Sequence, residues 1–147
     1  MHMWILKMST LLFTALALAP AVAHIMELPN KFTLSRHEYS ISQRLYRGWQ
    51  FLGIIVVAAL LSTFTLAIAM RSRTDQFAAA LVAFVCVATS LFVFRVFTYP
   101  VNKKTVNWTR MPDDWTRLRL RWEYSHAANA VLNFAAFVAT SVAVTWE

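Results

Sequence analysis

The stretch WQFLGIIVVAALLSTFTLAIAM, residues 49–70, decides the fold class because it contains no charged side chain in 22 residues. A helix needs about 20 mostly apolar residues to cross the roughly 30 Å hydrocarbon core of a bilayer. Residues 77–94 form a second uncharged run, and residues 127–146 form a third that is interrupted only by neutral polar side chains. These stretches predict helices that span a membrane.

The apolar run near the N-terminus, residues 8–26, has two interpretations. The sequence AVA at 21–23 has the small-residue pattern of a secretory cleavage site. A retained span is favoured by the polar residues that follow, since His24 and Glu27 are three residues apart and share one helix face. We therefore predict four spans at 8–26, 49–70, 77–97 and 124–146, and we expect Pro100 to end the third.

The composition of the whole chain favours a membrane protein over a soluble one. Hydrophobic residues make up 59% and charged residues 14% of the 147 residues, against roughly 45–50% and about 25% in soluble domains. This length corresponds to one domain. We therefore predict a single membrane domain over residues 1–147.

The loop before the fourth span is predicted to end in a helix. Pro112, Asp113 and Asp114 are typical of a first helical turn, because proline fits there and acidic side chains face the positive end of the helix dipole. We expect this helix to continue without a break into the fourth span. The predicted fold is all-α: an antiparallel four-helix bundle in the membrane, with a helical cytoplasmic extension before the fourth span.

Basic residues are divided unequally between the two sides of such a chain. The loops after the first and third spans hold eleven Lys and Arg residues, whereas the other side holds Lys7, Arg71 and Arg73. The positive-inside rule places the two long loops in the cytoplasm and both termini outside. We expect a protein of the bacterial inner membrane whose partners are lipids or a larger membrane complex, and no nucleic-acid partner.

Polar side chains collect where all four spans meet one side of the membrane. His24 and Glu27 end the first span, and Glu123 and His126 repeat that three-residue spacing at the start of the fourth. Ionisable residues at membrane depth are costly and by default mark a function. Further candidates at the same level are Tyr46, Trp49, Tyr99, Asn102, Arg119, Arg121 and Trp122.

Three interpretations suit this set of residues. His24, Glu27, Glu123 and His126 together offer two imidazoles and two carboxylates, a donor set for a single divalent metal ion. Alternatively, a histidine or glutamate removes an acidic proton while arginine and tyrosine hold the resulting oxyanion. In the third interpretation, the polar residues only fix the helix register in a non-catalytic subunit of a larger complex.

Residues 99–126 resemble a known family. The sequences YPVNKKTVNW at 99–108 and LRLRWEYSH at 118–126 are similar to the small four-helix membrane proteins of the anthrone oxygenase-like domain-of-unknown-function family. In that family, the pattern W-x-x-[LM]-R-x-R-W-E-x-x-H enters the fourth span. Where many members carry an arginine three residues after the histidine, this chain has Asn129. The matching residues are Asn102, Trp115, Arg119, Arg121, Trp122, Glu123 and His126.

The resemblance implies oxidation of polycyclic anthrones to anthraquinones by O2 without a resident cofactor. It implies that His126 is the base and that Glu123 orients the imidazole. Arg119 or Arg121, with Asn102, then holds the oxyanion. The residues expected to bind the flat substrate are Trp49, Trp122, Tyr46 and Tyr99.

Overall fold

A computed structural model describes residues 2–146, and within that range the protein is all-helical. Short 3₁₀ turns at Gln43–Tyr46 and Trp49–Phe51 lead into the third helix, and a π-helical turn at Phe94–Thr98 joins the fourth helix to the fifth. The all-α prediction is confirmed. The helices are α1 (His2–Thr33), α2 (Arg36–Ser42), α3 (Leu52–Ala69), α4 (Thr74–Val93), α5 (Tyr99–Thr105) and α6 (Trp115–Thr145).

Four helical stretches are long and apolar enough to cross a membrane, as predicted. α1 packs chiefly against α3 and α6, and α4 packs chiefly against the same two helices. The first and last long helices of the chain are therefore neighbours. The four stretches are Met3–Thr33, Trp49–Ala69, Thr74–Thr105 and Trp115–Thr145.

Two helical stretches continue past the ends predicted for them. α1 runs through Pro20 and Pro29 to Thr33. The prediction that Pro100 ends the third span is wrong, because the chain stays helical from the π-helical turn through α5. Pro100 lies in the first turn of α5. Because proline has no N–H, the Val96 carbonyl four residues earlier accepts from Arg121 Nη2 at 2.6 Å instead. The longer α1 brings Lys31 onto the helix face of His24 and Glu27.

The predicted continuity of the fourth span with the preceding helix is confirmed, since α6 runs without a break to Thr145. Asp114 precedes its first residue and accepts hydrogen bonds from Lys104 at 2.7 Å and Arg117 at 2.8 Å. These two bonds hold the pKa of the Asp114 carboxyl below its usual value. The side chain is thus kept charged at the positive end of the helix dipole.

Small and hydroxyl-bearing side chains make the contacts between the long helices. Ala59, Val87 and Ala136 form one buried cluster. Thr14 and Thr63 are buried, and each donates its hydroxyl to the carbonyl four residues earlier, at 2.9 and 2.7 Å. Small interfacial residues of this kind are typical of membrane helices. Large apolar side chains are exposed instead, among them Ile54, Leu61, Phe92 and Val131.

Candidate functional site

Ionisable and aromatic side chains form a group where α1 ends and α6 begins, which we term the polar cluster. α1 and α6 supply its charged residues, whereas α2, the 3₁₀ turns and α5 supply tyrosine, tryptophan and asparagine side chains around them. The polar cluster consists of His24, Glu27, Lys31, Tyr39, Tyr46, Trp49, Asn102, Arg119, Trp122, Glu123 and His126.

Lys31 lies at the centre of the polar cluster. Its Nζ is 2.9 Å from Glu27 Oε2, 3.5 Å from Glu123 Oε2 and 3.2 Å from His24 Nδ1. Lys31 is 4% exposed and Glu123 is 1% exposed, so water does not screen this ion pair. Because a buried charge needs a partner, the Lys31 ammonium joins α1 to α6.

Two tyrosine hydroxyls donate hydrogen bonds to the carboxylates of the cluster. Tyr39 donates to Glu123 Oε1 at 2.9 Å, and Tyr46 donates to Glu27 Oε2. Burial and the neighbouring Glu123 carboxylate raise the pKa of Tyr39 above its usual value. Burial and the hydrogen bond to Glu27 raise the pKa of Tyr46 in the same way. Both phenols therefore stay protonated and keep their roles as donors.

A capping box at the start of α2 positions Tyr39. The Ser35 hydroxyl accepts the Glu38 backbone N–H at 3.4 Å, and the Glu38 carboxylate accepts the Ser35 N–H at 2.8 Å. These bonds from Ser35 lower the pKa of Glu38. The reciprocal pair satisfies two of the N–H groups that a helix start leaves open. It fixes where α2 begins, and hence where Tyr39 meets α6.

The imidazole rings of His24 and His126 stack between α1 and α6. Their centroids are 4.2 Å apart and their planes differ by 20°. Trp122 packs edge-on against both rings, at 5.2 Å from His24 and 4.2 Å from His126. Tyr46 and Trp49 contact the His24 ring at 4.7 and 5.6 Å. The two imidazoles thus lie in an aromatic enclosure.

Five buried polar atoms on α6 have no hydrogen-bond partner within residues 2–146. They are Arg119 Nε, Glu123 Oε2, His126 Nε2, Asn129 Oδ1 and Thr140 Oγ1, and of these Glu123 Oε2 lies 3.5 Å from the Lys31 ammonium. His126 and Asn129 are three residues apart, so they share one helix face. Because buried polar atoms are normally paired, each exception requires an explanation. His126 Nε2 in the polar cluster, and Asn129 Oδ1 one turn further along α6, are the atoms best suited to contact the polar atoms of a ligand.

Arg119, one of the residues predicted to hold an oxyanion, is bonded to the end of α1. Its Nη1 donates to the carbonyl oxygens of Lys31 at 3.2 Å and Leu34 at 3.0 Å. The guanidinium carbon lies 4.7 Å from the centroid of the Trp115 ring. Since the last carbonyls of a helix have no partner inside the helix, these bonds cap α1.

Two of the predicted site residues lie outside the polar cluster. Arg121 is exposed and donates to the Val96 carbonyl at 2.6 Å, and Tyr99 is 38% exposed. Asn102 lies at the edge of the cluster, where its Oδ1 accepts the Trp122 indole N–H at 2.8 Å. The predicted residues that the structure brings together are His24, Glu27, Tyr46, Trp49, Asn102, Arg119, Trp122, Glu123 and His126.

The residues predicted as metal ligands are arranged around an internal cation. His24, Glu27 and Glu123 each contact the Lys31 ammonium. Within the described part of the chain, no group of three or more His, Cys, Asp or Glu side chains is placed to hold a metal ion. Lys31 therefore takes the central position that the metal hypothesis gave to a divalent ion.

Lys31 and Tyr39 belong to the polar cluster but were not among the residues predicted from the sequence. Lys31 follows His24 by seven residues and Glu27 by four, the spacing of one helix face. That pattern is visible only if the first span continues past residue 26. The Ser35-x-x-Glu38 pattern marks the helix that carries Tyr39, but it does not indicate that this helix packs against α6.

Comparisons with known proteins identify no relative of this chain. No protein-family model, curated protein or solved structure matches the chain. The function is therefore inferred from the geometry of the polar cluster and from the resemblance of residues 99–126.

Proposed function

We propose that the chain is an integral membrane protein folded as an antiparallel four-helix bundle. The exposed apolar side chains and the four long apolar helices support membrane insertion. Two polar contacts support the antiparallel arrangement of the first and last spans. Lys7 Nζ donates to Val144 O at 3.0 Å near one end, and Lys31 pairs with Glu123 near the other.

We propose that the polar cluster lies on the cytoplasmic side of a bacterial inner membrane, with α5 and the start of α6 as a helical extension. Lys31 and Arg119 are buried in the cluster and so do not report on orientation. The remaining nine basic residues of the long loops still outnumber the three on the other side. A reporter fused to the C-terminus should be active outside the cytoplasm, and activity in the cytoplasm would contradict this orientation.

We infer that the polar cluster is an acid–base site that oxidises an acidic polycyclic substrate of the anthrone type with O2. The observation that carries this proposal is the buried His126 Nε2 on α6, which has no hydrogen-bond partner within residues 2–146. An imidazole nitrogen without a partner is available to accept a proton from a ligand. The aromatic rings around it favour a flat apolar substrate.

Lys31 replaces the predicted arginines as the stabiliser of negative charge in this proposal. Arg119 is bonded to the end of α1 and Arg121 is exposed. The buried Lys31 ammonium instead contacts the His24 imidazole, which stacks on that of His126. A positive charge fixed in a water-poor site stabilises a developing anion strongly. Glu123 is held by Tyr39 and Lys31, so its role is to position the ammonium.

The proposed reaction balances with O2 as the oxidant. His126 removes the acidic C–H proton of the anthrone, and the resulting anion transfers one electron to O2. Recombination of the two radicals forms a C–O bond, and the peroxide takes a proton back from the imidazolium. The hydroperoxide then loses water to give the second carbonyl. One anthrone and one O2 thus become one anthraquinone and one water.

The experiment incubates the purified chain in neutral detergent with a hydroxylated anthrone and measures both O2 consumption and anthraquinone absorbance. We expect a rate above spontaneous oxidation, and a loss of about 100-fold or more in His126→Ala, the usual contribution of a general base. His37→Ala, which removes an exposed histidine outside the polar cluster, is the matched control and should keep the wild-type rate. Equal rates for His126→Ala and wild type would exclude His126 from the reaction.

A non-catalytic subunit of a larger membrane complex is the second candidate function. It is favoured by the contacts of Lys31, which tie α1 to α6 whether or not a ligand binds. Absence of any rate above spontaneous oxidation, together with a stoichiometric partner chain in mass spectrometry of the purified complex, supports this function over catalysis.

The single-metal hypothesis is tested on the same preparation by elemental analysis, and the absence of a stoichiometric metal would contradict it.

A further inference from the structure

A cavity of about 90 Å³ lies between the 3₁₀ turn after α2 and the loop after α5. Its lining includes Gln43, Arg44 and Arg47 on one side and Trp108 and Thr109 on the other. None of the lining residues is acidic, and none takes part in the proposed acid–base reaction. The cavity is therefore a second candidate site, and its existence does not depend on the proposed oxidation.

Two buried N–H groups at this cavity have no hydrogen-bond partner in the part of the chain that the structure describes. They are Gln43 Nε2 and Trp108 Nε1, on side chains that are 6% and 3% exposed. The indole nitrogen is a donor only, so it needs an acceptor from elsewhere. Because buried donors are nearly always satisfied, the pair indicates a ligand that carries acceptor oxygens.

Arg44 and Arg47 add two permanent positive charges to the same cavity. They lie three residues apart in a turn closed by the hydrogen bond from Arg47 N to Arg44 O at 3.3 Å. Guanidinium groups donate in a planar fork that matches two oxygens of a phosphate. Two such groups, together with neutral donors and no carboxylate, favour an anion over a cation or a neutral ligand.

The wall opposite the arginines is a left-handed turn. Val106, Asn107 and Trp108 have φ values of 51°, 51° and 61°, a region that a β-branched residue such as valine rarely adopts. This turn holds the Trp108 ring edge-on against Tyr39 at 5.0 Å and Trp122 at 6.1 Å. The position of the indole N–H is thus fixed by packing before a ligand arrives.

We propose that this cavity binds a phosphate-type oxyanion. The chemistry of the lining fits the phosphate of an anionic lipid headgroup and free inorganic phosphate equally well, and the experiment separates these two sources. The purified full chain is melted in neutral detergent at constant ionic strength. One arm adds inorganic phosphate against chloride, and the other adds phosphatidic acid against diacylglycerol, which has the same chains without the phosphate.

We expect at least one phosphate probe to raise the melting temperature above its control. Stabilisation by phosphatidic acid alone identifies a lipid headgroup as the source, and stabilisation by inorganic phosphate identifies a soluble one. If neither probe stabilises the chain more than its control, the proposal is wrong.

Variants locate the binding in the cavity. Gln43→Glu places a carboxylate there at nearly constant volume, and we expect it to weaken binding about tenfold or more through like-charge repulsion. The double variant Arg44→Ala/Arg47→Ala changes exposed residues, so it tests the proposal even if Gln43→Glu does not fold. Arg110→Ala removes an exposed arginine that does not line the cavity, and it should bind as the wild type does. An equal loss in Arg110→Ala would indicate non-specific attraction and overturn the proposal.

Discussion

The two ends of the long helices differ in how they use polar side chains. At the end away from the polar cluster, Lys7 Nζ donates to Val144 O at 3.0 Å and Gln76 Nε2 donates to Trp146 O at 2.5 Å. These bonds serve carbonyls at the end of α6, which a helix leaves open. At the other end, Arg119 does the same for the last carbonyls of α1.

Within residues 2–146, the buried ionisable side chains that do not cap a helix lie in the polar cluster only. Gln76 shows that a neutral amide is enough to cap a helix, whereas the polar cluster also buries Lys31, Glu123 and His24. Burying an ion costs several kcal/mol before its partner offsets the loss. Capping therefore does not explain the polar cluster, and its retained charges are the main physical reason to look for function there.

The largest difference in stability between the two ends is expected when the central charge, Lys31, is removed. Lys31→Met leaves two carboxylates without their cation, and we expect the free energy of unfolding to fall by about 3–5 kcal/mol. Lys7→Met, at the opposite end, removes one bond to a carbonyl and should cost about 1 kcal/mol. Detergent-based unfolding titrations measure both values. Equal losses would show that the two ends do not differ.

A smaller difference in stability is expected between the residues that cap α1 and α6. Arg119→Met breaks two bonds from a buried cation, and we expect a loss of about 2–3 kcal/mol, against about 1 kcal/mol for Gln76→Met. The same titration checks this. If Gln76→Met lowers the free energy of unfolding as much as Arg119→Met does, the positive charge adds nothing to helix capping in this protein.

The tyrosines separate the buried carboxylate from the partly exposed one. Tyr39→Phe leaves Glu123 Oε1 without a donor, and we expect the free energy of unfolding to fall by about 1–2 kcal/mol. Glu27 has 43% of its side chain exposed, so water replaces the hydroxyl in Tyr46→Phe and the loss should be smaller. A larger loss of unfolding free energy in Tyr46→Phe than in Tyr39→Phe would contradict the difference in burial between Glu27 and Glu123.

Near pH 10, the smallest expected effect is a dependence of stability on alkaline pH, which grows as the pH rises further. Because the pKa of Tyr39 is raised in the folded chain, the unfolded chain loses this proton first as pH rises above about 10. The stabilisation is full below that pH and falls as pH rises towards the folded pKa, by up to about 1.4 kcal/mol per pH unit for one phenol. Unfolding titrations from pH 9 upward should show this slope, and Tyr39→Phe should reduce it. An unchanged slope in the variant would show that Tyr39 does not carry it.

The sequence predicted the long helices because uncharged runs of this length leave few alternatives. It did not predict where α1 ends, because the apolar run stops at Met26 whereas the helix continues through Pro29 to Thr33. The rule that proline ends a helix failed at Pro100, where the chain continues through the π-helical turn into α5. Local rules set propensity, whereas packing against neighbouring helices decides whether a proline is tolerated.

The candidate site was predictable only in part. The three-residue spacing of His24 with Glu27 and of Glu123 with His126 placed the right residues on two helix faces, and the structure brings those faces together. Arg119 and Arg121 match the family pattern equally well, but residues two apart do not share a helix face. Only the folded chain shows that Arg119 is buried and that Arg121 is exposed.

A double-mutant cycle between Lys31 and Glu123 tests the central claim, that these two residues form the buried pair which holds the polar cluster together. Each single variant, Lys31→Met and Glu123→Gln, should destabilise the chain in detergent-based unfolding. The double variant should be more stable than Lys31→Met alone, because the buried Glu123 carboxylate is gone. We expect a coupling energy of about 2 kcal/mol between the two residues. Losses that simply add, with no coupling, would contradict the account.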